Sequence, residues 1–363
     1  MLKRIEYIIK NLLLKLLSFI SKGNKKPNER IELNSNSKVL LIRLNRIGDA
    51  LVTTPFINIL KKTINCEIYI LADKKNYFVF ENNEDIKEII VFRKGLNNFF
   101  YIVKKINSYK FDLILDMHDD VSTTVSFLIA LSKSNFKLGF EKSNKNIFTH
   151  TIKRPDPNKF HIVERLCSFS EILGFDYDKE QVKIIYNPNQ SSIKEADDLI
   201  KSLFVEQKFI LGINISAGSD ARFWGTDRYK LLIEKLKKFD LNVILICHKK
   251  DYKKAESIID SKFIIDTTND FNFYGAVIKK LNMLFSPDTS AVHLAAVDRI
   301  PVFGLYVKYK LNELIWSPYN TDFDCVITEE PTLNNITFNE VWNKFEPFLI
   351  KHLSIYNEFS KRI

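Results

Sequence analysis

Residues 39–62 read VLLIRLNRIGDALVTTPFINILKK. The first six form an apolar strand signal. The last twelve, 51–62, place apolar residues at helical spacing. Between them a short loop sets Gly48 beside the carboxylate of Asp49. A carboxylate there has two readings. It caps the helix that follows, or it faces a ligand bound beyond the carboxyl end of the strand. From this stretch alone the cap is the simpler reading.

The same strand-then-helix pattern continues outward. Strand signals recur at 66–72, 86–92, 111–117 and 136–140. Helical spacing recurs at 51–62, 96–106, 122–132 and 159–173, the last stopped by Gly174. Composition turns polar at 186–190, which suits a hinge. The alternation then restarts, with strands at 209–216, 241–247, 262–266, 282–286, 300–306 and 323–328. Helices are expected at 227–238, 252–259, 271–280, 290–297 and 339–353. Short apolar runs alternating with helices indicate parallel sheets covered on both faces. The expectation is an α/β protein of two doubly wound domains, 31–187 and 188–363, behind a separate segment 1–30. Ligands of such sheets bind beyond the carboxyl ends of the strands. Two facing sheets would make a cleft.

Composition bounds the function. The chain has 363 residues, 45% hydrophobic and 27% charged, with 54 Lys and Arg against 44 Asp and Glu. Residues 1–30 hold eight Lys or Arg against two Glu, a net of +6 out of the +10 total. The remaining +4 gives no nucleic-acid footprint. Residues 2–21 interleave basic residues with an apolar stripe of Leu2, Ile5, Ile9, Leu12, Leu13, Leu16, Leu17 and Ile20. Lys3, Arg4, Lys10 and Lys15 break any spanning run of roughly 18 apolar residues. The expectation is an amphipathic helix on an anionic membrane surface, with residues 1–26 as the contact. The alternative is a helix docked on the protein itself. The four cysteines are isolated and none has zinc-ligand spacing. No metal constellation and no resident cofactor are expected.

Four loops at strand ends carry polar residues. The first holds Asn45, Arg46, Gly48 and Asp49. The second runs from Ser216, Ala217 and Gly218 to Arg222. The third reads Cys247, His248, Lys249, Lys250, Asp251. The fourth reads Ser286, Pro287, Asp288, Thr289, Ser290, with His293 following. Gly48 and Gly218 suit a tight turn or a close approach to a ligand. The backbone N–H groups at the start of helix 290–297 form an anion site suited to a diphosphate, although Asp288 or Thr289 as a simple cap explains them too. Arg222 could supply a fixed positive charge to a diphosphate leaving group. His118, Asp119 and Asp120 hint at a cation site, but capping the next helix or lining the cleft is the simpler reading.

Taken together these stretches resemble the family 9 glycosyltransferases, whose best-known members are ADP-heptose:lipopolysaccharide heptosyltransferases. The matching segments are residues 39–62, FDLILDMHDD with KLGF, HIVERLCSFSEILGF, NISAGSDARFWGTDRYKLLIEKL and SPDTSAVHLAAVDRIPVFGLY, in the order of the family. The resemblance implies the GT-B fold: two Rossmann-like domains facing across a cleft, an N-terminal acceptor domain and a C-terminal donor domain. It implies an inverting, metal-independent transfer of heptose from ADP-heptose to a lipopolysaccharide core or related lipid-linked glycan. Asp49 matches the general base on the acceptor hydroxyl. Arg222 matches the basic residue, often lysine, at the donor diphosphate. Ser216, Ala217, Gly218, Lys250, Asp251, Asp288, Thr289, Ser290 and His293 fall on the donor side. Arg46, Gly48 and Arg165 fall on the acceptor side. The third loop departs from the family pattern in having no glycine pair. A lipid-linked acceptor would place the enzyme at the cytoplasmic face of the inner membrane. The alternatives are the same chemistry with another nucleotide-sugar, and a non-catalytic sugar-nucleotide-binding module at the membrane.

Overall fold

A computed structural model describes residues 29–268, 270–309 and 312–360, together with Leu17. The chain divides into two compact units, Met1–Val182 and Lys183–Ile363.

Unit 1 opens with β1 (Lys38–Arg43), followed by two helices in place of one: a short α1 (Ile47–Leu51) and α2 (Thr54–Ile64). Asp49 is therefore inside a helix and not at its cap. The N-cap of α1 is Arg46, and that of α2 is Thr53. α2 has Pro near its start, where its missing N–H costs nothing, and stops at Asn65 in the left-handed region. Then come β2 (Glu67–Asp73), β3 (Ile86–Phe92), α3 (Leu96–Tyr109), β4 (Leu113–Asp116), α4 (Thr123–Leu131), β5 (Phe136–Phe140) and β6 (His150–Ile152). The expected helix 159–173 begins later and is broken into α5 (Ile162–Cys167) and α6 (Phe169–Leu173). Ser168 sits at the break and donates its hydroxyl to Arg165 O at 2.7 Å, competing with the helix backbone. Gly174 ends α6 with φ 72°, as its position at the end of the periodic run implies.

The six strands are parallel and ordered β3-β2-β1-β4-β5-β6. Leu40, Leu41 and Ile42 of β1 are fully buried, each stabilising the fold by roughly 1.5–3 kcal/mol relative to exposure. One core of this unit gathers Leu40, Ile42, Ile102, Ile106, Leu128 and Leu17. Leu17 is helical and buried, so this member of the N-terminal apolar stripe docks on the protein. The rest of that expected amphipathic helix lies outside the described residues.

Unit 2 begins with a helix that the polar composition at 186–190 conceals. α7 (Gln190–Leu203) is capped by Asn189, which accepts from Ser192 N. The unit continues with β7 (Ile210–Asn214), α8 (Thr226–Leu236), β8 (Asn242–Cys247), α9 (Tyr252–Glu256), β9 (Ile264–Asp266), α10 (Phe271–Lys279), β10 (Met283–Pro287), α11 (Ser290–Val297), β11 (Val302–Val307), β12 (Phe323–Thr328) and α12 (Phe338–Ser360). α7 packs on α10, and Tyr186 donates to Asn272 Oδ1 at 3.2 Å. Residues 186–190 thus belong to unit 2, and the division lies upstream of them.

The second sheet is also parallel, ordered β12-β11-β10-β7-β8-β9. Read from its first strand it repeats the order of unit 1. In each sheet the direction of strand addition reverses beside the first strand, between β1 and β4 and between β7 and β10. Ligands of doubly wound sheets bind at the carboxyl end of that reversal. Cys66, Cys167 and Cys247 are buried free thiols, and burial pushes Cys66 up to about 11 and Cys247 up to about 12.

Candidate active site

At the reversal in unit 1, Arg43 ends β1 with its side chain fully buried. Its Nε donates to Asp49 O at 3.0 Å and its Nη1 to Met117 O, just beyond β4. Its Nη2 lies 3.1 Å from Asp49 Oδ1. Asn45 Nδ2 donates to the same oxygen at 3.1 Å. The carboxylate is thus held through Oδ1. Its Oδ2 has no hydrogen-bond or ion-pair partner among the described residues, and the side chain keeps 13% exposure. Asn76 Nδ2 donates to Arg43 O and Asn45 O, at 3.1 and 2.9 Å, fixing the loop before α1. Arg46 is exposed beside this loop, and Gly48 is half-buried inside α1. Neither Gly48 nor Gly218 has positive φ. A side chain at Gly218 would meet nothing within 4 Å, so that residue leaves room and does not force a turn.

The His118–Asp120 stretch neither caps a helix nor forms a metal cluster. Ser122 caps α4, accepting from Val125 N. Asp116 is buried and paired with Lys142 Nζ at 3.0 Å and His118 Nδ1 at 2.7 Å. Burial alone would raise its pKa; the Lys142 ammonium and the His118 ring outweigh it and hold the group below the ordinary carboxylate value. Asp119 receives Arg154 at both oxygens (2.9 and 2.6 Å) and Arg165 Nη1 at 2.7 Å. Arg165 is 1% exposed, so its charge is matched inside unit 1. It sits on α5, whose start is fixed by a capping box between His161 and Glu164. Among the described residues, no three His, Cys, Asp or Glu side chains are grouped to hold a metal ion.

In unit 2 the equivalent strand-end position belongs to Asn214, the last residue of β7. It is buried. Its Nδ2 faces Ser216 O, Ser286 Oγ and Thr289 Oγ1 at 3.2, 2.9 and 3.2 Å. One side chain therefore ties the loop after β7 to the end of β10 and the start of α11. Thr289 caps α11, its hydroxyl accepting from Ala291 N at 3.3 Å, and Ser290 is the first helical residue. Asp288 does not cap. Its Oδ2 pairs with Arg222 Nη2 at 3.0 Å. Both side chains are about a quarter exposed, so this pair contributes about 0–1 kcal/mol and gives way cheaply to a stronger anion. His293 is buried one turn into α11, its ring centroid 6.4 Å from that of Trp316.

The third loop is tied to the second. Ser216 Oγ donates to Asp251 Oδ2 at 2.7 Å and accepts from His248 N at 2.8 Å. Lys250 Nζ donates to Ala217 O at 2.8 Å. Lys254 Nζ is 3.1 Å from both Asp251 and Asp220, and 4.6 Å from the Phe223 ring centroid. Asp251 is thus buried as an organiser of the loop, while His248, Lys249 and Lys250 are exposed.

The structure brings Ser216, Ala217, Lys250 and Asp251 into one network, joins Arg222 to Asp288, and ties Thr289 to Asn214. Arg46, Gly48 and Asp49 share one short turn of unit 1, and Arg165 is committed to Asp119. The sequence reading overlooks Arg43, Asn76, Asn214 and Lys254. Two of them carried a signal: Arg43 and Asn214 are single polar residues at the ends of apolar strands.

Comparison with known proteins bears on the family and the fold. A family model described as glycosyltransferase family 9 (heptosyltransferase) matches residues 99–343. The chain is 23% identical over 296 residues to lipopolysaccharide heptosyltransferase 3 of Escherichia coli, covering 76% of this chain and 84% of that protein. Its fold is similar to that of a family 9 glycosyltransferase from Veillonella parvula, with TM-score 0.76, 19% identity and coverage of 89% and 100% of the two chains. It is also similar to E. coli heptosyltransferase WaaC with ADP, with TM-score 0.66, 14% identity and coverage of 87% and 99%.

Proposed function

Because the chain belongs to glycosyltransferase family 9, we propose that it transfers a sugar, heptose from ADP-heptose, onto a lipopolysaccharide core or a related lipid-linked glycan. The acceptor hydroxyl oxygen bonds to the anomeric carbon and its proton passes to Asp49. The bond from that carbon to the diphosphate breaks, and the nucleoside diphosphate leaves with the electron pair. The reaction is a single displacement that inverts the anomeric centre and uses no metal. The observation that carries the reading is the Asp49 carboxylate, fixed through Oδ1 by Arg43 and Asn45 with Oδ2 left over to take a proton. The residues proposed for the donor are in unit 2. The Thr289–Ser290 helix start offers backbone N–H groups and the positive end of the α11 dipole, and Arg222 turns from Asp288 to the diphosphate as its charge develops. Arg165 supports the acceptor side through Asp119.

The test is release of nucleoside diphosphate from ADP-heptose and a panel of other nucleotide-sugars, with a lipopolysaccharide-core acceptor. Turnover with ADP-heptose alone is the expected result. Within the same assay, Arg222→Ala lowers kcat by about 10²–10³-fold with the acceptor KM little changed. Equal turnover at saturating substrate would remove Arg222 from the transition state. No release with any donor would favour a binding module.

We place the enzyme at the cytoplasmic face of the inner membrane as a peripheral protein. Among the described residues no helix is long and apolar enough to cross a membrane. The basic first thirty residues support surface attachment, as do exposed Leu96, Phe100 and Tyr101 on α3 beside Arg93, Lys94 and Lys104. Each basic residue near an anionic surface contributes about 1 kcal/mol. Reversing Lys3, Lys10 and Lys15 to Glu is expected to abolish sedimentation with phosphatidylglycerol vesicles at low salt. Point changes are preferred to deletion because Leu17 packs in the core of unit 1. Unchanged sedimentation would place attachment elsewhere.

A further inference from the structure

We propose that His118 is a positioning residue for Asp49, latching the loop that leads into the helix carrying the base by accepting the Leu44 N–H. The proposal rests on the reading of Asp49 as the proton acceptor. The loop 44–46 leads from β1 into α1 and has to be held for Asp49 to keep its place. Asn76 takes up Arg43 O and Asn45 O. Leu44 N, between them, donates to His118 Nε2 at 3.1 Å. His118 lies just beyond β4, the neighbour of β1 on the other side of the reversal. Its ring therefore ties the end of β4 to the start of the loop that leads to Asp49.

The hydrogen bonds fix the protonation state. An Nε2 that accepts an amide proton carries a lone pair, so the ring proton is on Nδ1. Nδ1 faces Asp116 Oδ1 at 2.7 Å, and the same carboxylate oxygen accepts the His118 backbone N–H at 3.1 Å. Lys142 Nζ closes the group, reaching Asp116 Oδ2 at 3.0 Å and His118 O at 2.7 Å. The charged groups facing the ring are Asp116 from β4, Arg43 from β1 and Lys142 from the segment after β5. Burial lowers the imidazole pKa most; Asp116 raises it, while Arg43 and Lys142 lower it, and the result lies below 6.5. Protonation would turn Nε2 from acceptor to donor against the Leu44 N–H. The latch then opens.

Two substitutions separate the jobs of the two nitrogens. His118→Gln places an amide oxygen near Nε2 and keeps the acceptor for Leu44. His118→Asn places its amide nitrogen near Nδ1 and keeps only the donor to Asp116. With ADP-heptose and a lipopolysaccharide-core acceptor, His118→Asn is expected to lose kcat on the order of 10²-fold and His118→Gln to lose about threefold, with the donor KM unchanged in both. The wild-type kcat falls once the pH is acid enough to protonate His118, which burial holds below the ordinary imidazole range, and the part of that fall due to the latch is missing in His118→Gln. Hydrogen exchange of the Leu44 amide, read by mass spectrometry on each folded variant, is slow in wild type and Gln and fast in Asn. Equal kcat and equal Leu44 exchange in Gln and Asn would overturn the latch and leave His118 as a partner of Asp116 alone. Asp49→Asn runs alongside. If that variant is inactive while Gln and Asn behave alike, the latch fails and the base stands. If it keeps full transfer, the base assignment fails and with it the catalytic purpose of the latch.

Discussion

Asp49→Asn is expected to lower sugar transfer by about 10²–10⁴-fold, the range that a positioned general base contributes, while nucleotide-sugar affinity is retained. The substitution is nearly isosteric, and the amide can still approach Asn45 and Arg43. What it removes is the capacity of Oδ2 to take a proton. The residues proposed for the donor belong to the other compact unit, Lys183–Ile363. A rate within a few-fold of wild type, on protein with unchanged far-UV circular dichroism, would show that Asp49 is structural. Equal losses of rate and donor affinity would point to misfolding.

The second large effect is on stability. Arg43→Met is expected to lower the unfolding free energy of unit 1 by about 3–5 kcal/mol, because it leaves a largely buried Asp49 carboxylate without its cation. Met117 O and Asp49 O lose the same guanidinium. Removing both charges should cost less than the two single changes imply. The double variant Arg43→Met/Asp49→Asn is therefore expected to fall short of additivity by about 1–3 kcal/mol. Denaturant titrations of the four proteins read this directly. Strict additivity would mean that the two side chains do not stabilise one another.

Much of the fold was legible because strands of a parallel sheet are buried on both faces and read as short uninterrupted apolar runs. Val39–Ile42 and Met283–Phe285 are such runs, and each lies in a central strand. β6 has only three residues, too few for a pattern. α7 was hidden because the polar stretch at its start reads as a hinge and the helix buries only Ser192 and Ala196. Asp49, which its own stretch alone reads most simply as a cap, is not one because the chain starts a short helix four residues earlier than the periodic run suggests.

The candidate site was legible by residue type and less so by partner. Asp288, Thr289 and Arg222 could be picked out from their loops, but the Arg222–Asp288 pairing joins positions far apart in the chain. His118 and Leu44 are 74 residues apart, and only the β1–β4 pairing brings them together. The pairing of Arg165 with Asp119 is not visible in HIVER, because the two positions lie 46 residues apart. Asp251 looked like a ligand contact because the sequence does not show that it closes on Ser216 and Lys254. Sequence identifies which side chains carry charge; the fold decides which charges are already matched.

The central claim is that Asp49 takes a proton from an acceptor oxygen that attacks the anomeric carbon in one step. Were Asp49 instead to bond to that carbon, two displacements would follow and the configuration would be kept. The anomeric configuration of the purified product, read from its proton NMR coupling against that of the donor, separates the two. Inversion is the predicted result, and retention would contradict it.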